Sequence, residues 1–473
     1  MDRSGQGAAG TGHGPAHAHL VGVAGRGLPG LAQVFAQRGV VVTGSERGSC
    51  PTVDRLRQLG VRVHCGHGPR PCPRSAQFLV YGSEIGRAHP ERLSAARRGV
   101  MQGTAADWLG RWMRGGLGLA VAGRRAASVA SAMIGWTLTR AGLDPTVVLG
   151  TSAPQLGGWA RWGTGPHLVV EAIATPAGLG PLAPWLAVVL DVEPEGDPGA
   201  GSGGRTDALR RLLASMPGDG HVLALGDQAT IGAAVRGWGA RVEWLSLERG
   251  SAWWGADLRE ERGRYRFRAF HRGRFAVEVR LQVPGRRNVL SALAAVAACD
   301  RLDLPAPEIK QGLEEFAGVS RDFESRGTYR GVTLVDDEGQ DATSVSEALA
   351  LGRRSFGTRR LWVVLGAAGA VYDPEAHGRY LAALADADHV VITEGGDEPG
   401  PGTRPEPSPA LALVAALAAA GVPARWTACL DDAISELDRH LEPGDVLVTL
   451  GAGAVGTISD AFIRRLPRDR HGR

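Results

Sequence analysis

Strand-sized apolar runs and helix-length amphipathic segments take turns along nearly the whole chain, and that alternation leaves few folds open. From Leu20 to about Arg114 the order is HLVGVAG, LAQVFAQRG, VVVTGSE, VDRLRQLG, VRVH, FLVYGSE and ERLSAARRG: strand, helix, strand, helix, strand, strand, helix. Strands separated by helices pair in parallel, because a parallel neighbour is reached only by a crossover lying on the sheet face. A second series opens at Gly115 and Gly116 with LGLAVAGRRAASVASAMIGWTLTRAG, runs through HLVVEAI, LAVVLDV, DALRRLLASM and HVLALG, and closes on RRNVLSALAAVAACDRL and APEIKQGLEEFAG. Within it, YRFRAFHRGRFAVEVRLQV alternates polar and apolar residues, as antiparallel strands do. A third series starts near Val319 with GTYRGVTLVDDEG and ends on DVLVTLGAG and a last helix. The expectation is an α/β protein of three domains, 18–114, 115–318 and 319–473.

Composition narrows the class further. A hydrophobic share of 44% beside 22% charge is that of a soluble globular chain. No apolar run reaches the ~18 residues of a membrane span, and the first residues lack a signal-peptide profile, so a cytoplasmic protein without membrane association is expected. Five scattered cysteines without C-x-x-C spacing suggest neither disulfides nor zinc. The +4 net charge is spread along the chain, which argues against a nucleic-acid partner. Of the 53 basic residues only Lys310 is a lysine, so a compact ammonium group is available at one position. Residues 1–17 are rich in Gly, Ala and His and read as a disordered tail. His13, His17 and His19 have metal-ligand chemistry, but a solvated tail accounts for them more simply.

Two loops carry chemistry. After the first strand, Gly25-Arg26-Gly27-Leu28-Pro29-Gly30 opens a helix, and Glu46 follows the second strand. Such glycines let the backbone turn beside a phosphate at a positive helix end, while an acid after the second strand accepts ribose hydroxyls. The motif alone suits NAD, FAD or a uridine nucleotide equally, or a tight turn with no ligand. The second loop, Gly123-Arg124-Arg125-Ala126-Ala127-Ser128, stands where phosphate-loop logic requires glycine, then lysine, then a hydroxyl. Ser128 suits a Mg²⁺ ligand or a helix cap. Arg124 and Arg125 bring charge, but their planar forks differ from a lysine seated among phosphates, and solvated loop arginines are the simpler reading.

Taken in order, these stretches resemble the Mur ligases, nearest to the branch joining L-alanine to UDP-N-acetylmuramate, from about His19 to Leu466. HLVGVAGRGLPGLAQVFAQRGVVVTGSE is similar to that family's sugar-nucleotide loop and LGLAVAGRRAASVASAMIGWTLTRAG to its ATP loop. VPGRRNVLSALAAVAA is similar to its adenine-contacting segment, GVSRDFESRGTYRGVTLVDDEGQDATSV to the start of its third domain and GDVLVTLGAGAVGTI to the end of that domain. The resemblance implies a Rossmann-like UDP-binding domain, a central P-loop-like ATPase domain and a C-terminal Rossmann-like domain. It also implies ATP and Mg²⁺ as cofactors, and transfer of a phosphoryl group to a carboxylate that an amine then attacks. Gly25, Gly27, Gly30, Ser45, Glu46 and Ser83 match its sugar-nucleotide positions. Gly123, Arg124, Arg125, Ser128, Glu171, Asn288 and Arg321 remain at its ATP positions, with Ser128 and Glu171 as the only metal-ligand candidates.

The departures cluster at the ATP site. The lysine of the family's GTHGKTT is Ala127, Ile173 to Thr175 replace the acids after Glu171, and its metal-binding histidine falls at Gly196. Arg287 and Ser291 replace the histidine and second asparagine around Asn288, Asp322 the arginine after Arg321, and both histidines of DDYGHHPTE are missing. One transition-state arginine in phosphoryl transfer is worth ~10³–10⁵ in rate, so losses on this scale imply a pseudoenzyme that keeps UDP-sugar binding and acts through that ligand, a protein partner or self-association. Two other readings stand beside it: a working amide ligase using Arg124 or Arg125, and a dinucleotide-dependent oxidoreductase read from Gly25 to Glu46. For the latter, nothing downstream resembles a hydride-transfer site.

Overall fold

The computed structural model describes residues 15–66, 70–123, 126–172, 181–190, 205–226, 228–367, 371, 373–394 and 408–465. The chain forms two compact units, one running to Val319 and one from Ser320, with Glu261–Gly263 assigned to the second. The expected boundary at 114/115 falls inside the first unit, between its two sheets. No helix among the described residues is long and apolar enough to cross a membrane.

The first sheet is built from β1 (His17–Val21), β2 (Val41–Glu46), β3 (Arg62–Cys65), β4 (Phe78–Tyr81) and β5 (Met101–Gly103). Between them run α1 (Leu28–Gln37), α2 (Pro51–Gln58), α3 (Pro90–Arg97) and, after β5, α4 (Ala105–Met113). The order is β3-β2-β1-β4-β5 and every pairing is parallel. The alternation of the sequence does not reveal β5 or α4. The helix is nonetheless strongly marked by its capping box, in which Thr104 and Asp107 bond each other's backbone N–H groups.

Here the reading of a solvated tail through His17 is corrected. Strand β1 begins at His17, and His17 and His19 are only 7% and 5% exposed. The reason is position: β1 is central in the sheet, with α1 packed on one face and α3 on the other. One face is apolar, with Ala18, Leu20 and Val42 in a common core. The opposite face carries His17, His19, Thr43 and Ser45, whose polar groups bond to one another and to Glu91 of α3. His13 lies outside the described residues.

The second sheet has ten strands: β6 (Leu117–Ala122), β7 (Thr146–Ala153), β8 (Gly158–Arg161), β9 (His167–Ala172), β10 (Leu186–Val189), β11 (His221–Leu225), β12 (Val242–Ser246), β13 (Trp253–Glu261), β14 (Arg264–His271) and β15 (Arg274–Pro284). Its helices are α5 (Ala126–Arg140), α6 (Arg205–Ala214), α7 (Ala229–Ala234), α8 (Arg286–Asp300) and α9 (Ala306–Glu314). The order β15-β14-β13-β12-β11-β10-β6-β9-β7-β8 places β6 centrally, and β14 and β15 pair antiparallel as their alternation predicts. Leu119 and Val121 of β6 enter the core shared with α5 and α8, whereas Ala120 and Ala122 enter the core shared with the first sheet. The sequence pattern does not reveal β7, β8, β12 or β13.

Helix α1 seals that second core. Gln33, 1% exposed, donates to Gly157 O (3.0 Å) and Ala160 O (2.6 Å) and accepts from Trp159 N–H (3.1 Å), so it satisfies the backbone of edge strand β8.

The second unit carries β16 (Glu324–Tyr329), β17 (Val332–Asp337), β18 (Leu361–Gly366), β19 (His389–Thr393), β20 (Ala424–Thr427) and β21 (Val446–Leu450). Its helices are α10 (Ala342–Phe356), α11 (His377–Leu384), α12 (Ala410–Ala419), α13 (Leu430–His440) and α14 (Thr457–Arg464). The order is β16-β17-β21-β18-β19-β20, parallel except for the β16–β17 hairpin.

Replacing Gln33 by Met keeps the volume but leaves Gly157 O, Ala160 O and Trp159 N–H without the partner that Gln33 supplies. Urea unfolding is expected to show a loss of about 1–3 kcal/mol, and an unchanged midpoint would refute this role.

Candidate functional site

In the first sheet the strand order reverses between β1 and β4, and ligands of such sheets lie in the crevice beyond the carboxyl ends of the strands at that point. Two loops leave those ends: 22–27 after β1 and 82–86 after β4. The first is held to β2 by the N–H groups of Gly22 and Val23, which donate to Ser45 O at 2.9 and 3.1 Å. Gly22 and Gly27 have φ of +71° and +80°, a conformation that strains any residue with a Cβ. Gly27 precedes α1, whose first turn has no side-chain cap; Leu28 N–H donates to Gly25 O (3.1 Å) and Pro29 has no N–H, so it is the positive helix end that faces the loop.

The matched residues do different work. Gly25 N–H donates to Gly22 O (2.8 Å), and a Cβ on Gly25 would stand 3.0 Å from that oxygen and 3.2 Å from Glu84 Oε1. Gly30 lies further along, where a Cβ would meet Leu149 O and Val148 Cγ1 at 3.0 Å and Trp159 O at 3.1 Å; its smallness serves packing of α1 on β7 and β8. Glu46 accepts from the N–H groups of Ala24 and Arg47, both at 2.9 Å, and so shapes the first loop. A carboxylate has about four acceptor positions, which leaves room for a ligand's hydroxyls. Ser83 sits in a turn closed by Ile85 N–H on Gly82 O (2.9 Å).

Ser45 belongs to a buried chain that sequence reasoning missed. Its Oγ donates to Glu91 Oε2 (2.8 Å), His19 Nε2 lies 2.8 Å from the same oxygen, and both His19 Nδ1 and His17 Nε2 lie 2.8 Å from Thr43 Oγ1. Ser75 Oγ completes it, 2.8 Å from His17 Nδ1. Burial opposes ionisation of Glu91, but the bonds from His19 and Ser45 outweigh it and hold the carboxyl below its ordinary range. Burial, with His19 and Arg62 nearby, lowers the His17 pKa. The only sequence signal was the pairing of His17 and His19 at period two on an apolar strand.

At the second loop, Arg124 and Arg125 lie outside the described residues, as do Ile173 to Thr175 and Gly196. Gly123 is half-buried ahead of α5, which opens on Ala126 and Ala127, 5% and 0% exposed and packed in the core with α8. Ser128 and Glu171 do meet: Ser128 Oγ donates to Glu171 Oε1 (2.7 Å), and Gly150 N–H donates to Oε2 (2.8 Å). Asn288 Nδ2 donates to Pro284 O (2.7 Å), while its Oδ1 is buried without a hydrogen bond among the described residues. Ser291 Oγ bonds Ala126 O (3.3 Å), tying α8 to the start of α5.

Where the resemblance implies Mg·ATP, the described start of α5 presents Ala126 and Ala127 and no cation. A triphosphate needs cations placed around it, and α5 opens on two buried methyl groups. Lys310 stands on α9, paired with Glu314. Among the described residues no three His, Cys, Asp or Glu side chains gather to hold a metal ion.

Arg321 belongs to the second unit, where it is a staple. Its Nε donates to Asp336 Oδ2 (2.9 Å), Nη1 reaches Gly453 O (3.4 Å) and Nη2 bonds Gly451 O. Neighbouring acids are also engaged: Asp337 accepts from the N–H groups of Phe323 (2.9 Å) and Gly339 (2.7 Å), and Asp341 caps α10 through Ser344 N–H (3.0 Å).

Comparison with known proteins gives a consistent picture. The Mur ligase family catalytic domain matches residues 17–116, and the Mur ligase glutamate ligase domain matches residues 323–453. The UDP-N-acetylmuramate–L-alanine ligase of Geobacter sp. (strain M21) is 30% identical over 453 residues, covering 95% of this chain and 97% of its own length. That of Sorangium cellulosum (strain So ce56) is 31% identical over 462 residues, covering 95% and 96%. In three dimensions the chain is similar to the UDP-N-acetylmuramate–alanine ligase of Thermotoga maritima, with a TM-score of 0.79 at 21% identity over 95% of this chain and 98% of that one. A murein peptide ligase from Psychrobacter arcticus follows at a TM-score of 0.65 and 18% identity, with the same coverage.

The buried chain makes stability depend on acidity. Because the folded pKa of His17 lies below its ordinary 6.5, its contribution is complete above about pH 6.5 and is lost as pH falls through the folded value; that of Glu91 is lost likewise below its ordinary 4.5. Urea unfolding is expected to show stability falling from about pH 7 to 5, and His17→Gln should flatten that fall. The same slope in both proteins would refute it.

Proposed function

This chain belongs to the Mur ligase family, and on that premise we propose that it binds a UDP-sugar through the first glycine loop and no longer carries out ATP-driven amide ligation. It is a cytoplasmic, retired relative of the ligases that join L-alanine to UDP-N-acetylmuramate in making peptidoglycan precursors. Residues 18–114 form the sugar-nucleotide domain, 115–318 the ATPase-like domain and 319–473 the C-terminal domain.

One contrast carries this reading. The first loop keeps its glycines, its uncapped helix end and its acid at the strand-order reversal, whereas the position matching the phosphate-binding lysine is Ala127, fully buried in the core. In the first loop, Gly25 and Gly27 put no side chain between the backbone and a diphosphate, Glu46 accepts from ribose hydroxyls, and Ser83 faces the same crevice from β4. In the second, Ser128 and Glu171 satisfy each other. Of the loop's own residues, only Arg124 and Arg125 carry positive charge for a triphosphate.

Those adjacent arginines favour one second reading, a rewired ligase in which they replace the lysine. Titration calorimetry with UDP-N-acetylmuramate and with Mg·ATP separates the two. Binding of the sugar nucleotide, with no L-alanine-dependent release of ADP, is expected. Tight ATP binding with alanine-dependent ADP release, abolished by Arg124→Ala or Arg125→Ala, would overturn the proposal in favour of the rewired enzyme.

A further inference from the structure

We infer that Glu84 sets how tightly the first loop takes a diphosphate, because its own carboxylate rests in the hollow a ligand phosphate would use; the inference rests on reading that loop as a sugar-nucleotide site. Gly22, Gly25 and Gly82 are brought together by the pairing of β1 with β4, and each lacks a Cβ on the side facing Glu84. A Cβ on Gly82 would stand 2.2 Å from Glu84 Oε1 and 2.8 Å from Oε2, and a Cβ on Gly22 or on Gly25 would stand 3.2 Å from Oε1. The cradle left by three missing side chains is thus filled by an anion belonging to the chain.

Local geometry explains why Glu84 turns this way. Gly82 N–H donates to Val21 O (3.1 Å), which continues the β1–β4 pairing by one residue, and Ile85 N–H then closes a turn on Gly82 O (2.9 Å). That turn aims residue 84 back at the glycine loop. Glu84 is exposed, and among the described residues no hydrogen bond or ion pair restrains or neutralises its carboxylate.

A ligand diphosphate must therefore displace a carboxylate and then remain beside it. Like charges a few ångströms apart oppose each other, so the penalty falls on the phosphates and spares the base. Glu84 is a specificity residue: it weakens binding of the charged part of the nucleotide and leaves uridine recognition alone.

Calorimetry on the full chain at low ionic strength tests this with UDP, UDP-N-acetylmuramate and uridine. Glu84→Gln removes the charge at nearly constant shape, and Glu84→Ala also empties the hollow. Both variants are expected to bind UDP and the UDP-sugar about tenfold or more tightly than the parent, with uridine affinity unchanged. If the parent binds UDP and neither variant gains, the inference falls while the sugar-nucleotide reading stands. If no version binds UDP or the UDP-sugar, that reading falls and the inference with it.

Discussion

Burial of β1 on both faces governs the first domain. With helices α1 and α3 packed on its two faces the strand cannot turn a polar residue to water, so His17 and His19 are tolerated only because Thr43, Ser75 and Glu91 meet their ring nitrogens. The same central position delivers the loop after β1 to the crevice where the strand order reverses, beside the loop after β4. The buried chain and the candidate site are linked through Ser45: its hydroxyl bonds Glu91 and its carbonyl receives the first two N–H groups of the glycine loop.

The two loops solve the same geometric problem with opposite chemistry. Both follow a central parallel strand and lead into a helix, an arrangement maintained by core packing whatever the loop binds. In the first, backbone freedom at Gly22 and Gly27 is preserved, and the Glu84 carboxylate rests beside the glycines. In the second, the helix begins on Ala126 and Ala127, whose methyl groups join the apolar core, and Ser291 of α8 bonds the carbonyl of Ala126. Small residues let α5 and α8 pack closely there. The fold of a family member thus persists on packing, independently of the charges a triphosphate would require.

Much of the architecture was legible from period and spacing. The α/β class, the antiparallel β14–β15 pair and most first-sheet strands follow from local alternation, which depends only on residues a few positions apart. Strands β5, β8, β12 and β13 were not legible, because their residues show neither an apolar run nor a clean two-residue alternation. The matched site residues divide in the same manner: Gly25 and Gly27 lie in the loop their spacing suggested and Glu46, at the end of β2, accepts from that loop, whereas Gly30 packs α1 on β7 and β8 and Arg321 staples the turns around β17 and β21. An arginine beside an acid looks the same in a linear string whether it awaits a ligand or holds a turn.

By itself the sequence determined the succession of elements, the glycine positions where the backbone must turn, and a loop from Gly123 to Ser128 that holds no lysine, because each is a property of neighbouring residues. Only the tertiary structure decided that His17 and His19 are interior groups, that Ser128 pairs with Glu171, and that Glu84 rests among Gly22, Gly25 and Gly82. Those contacts join residues far apart in the chain, and they come into being only when β1 has paired with β2 and β4 and the helices have closed over the sheets.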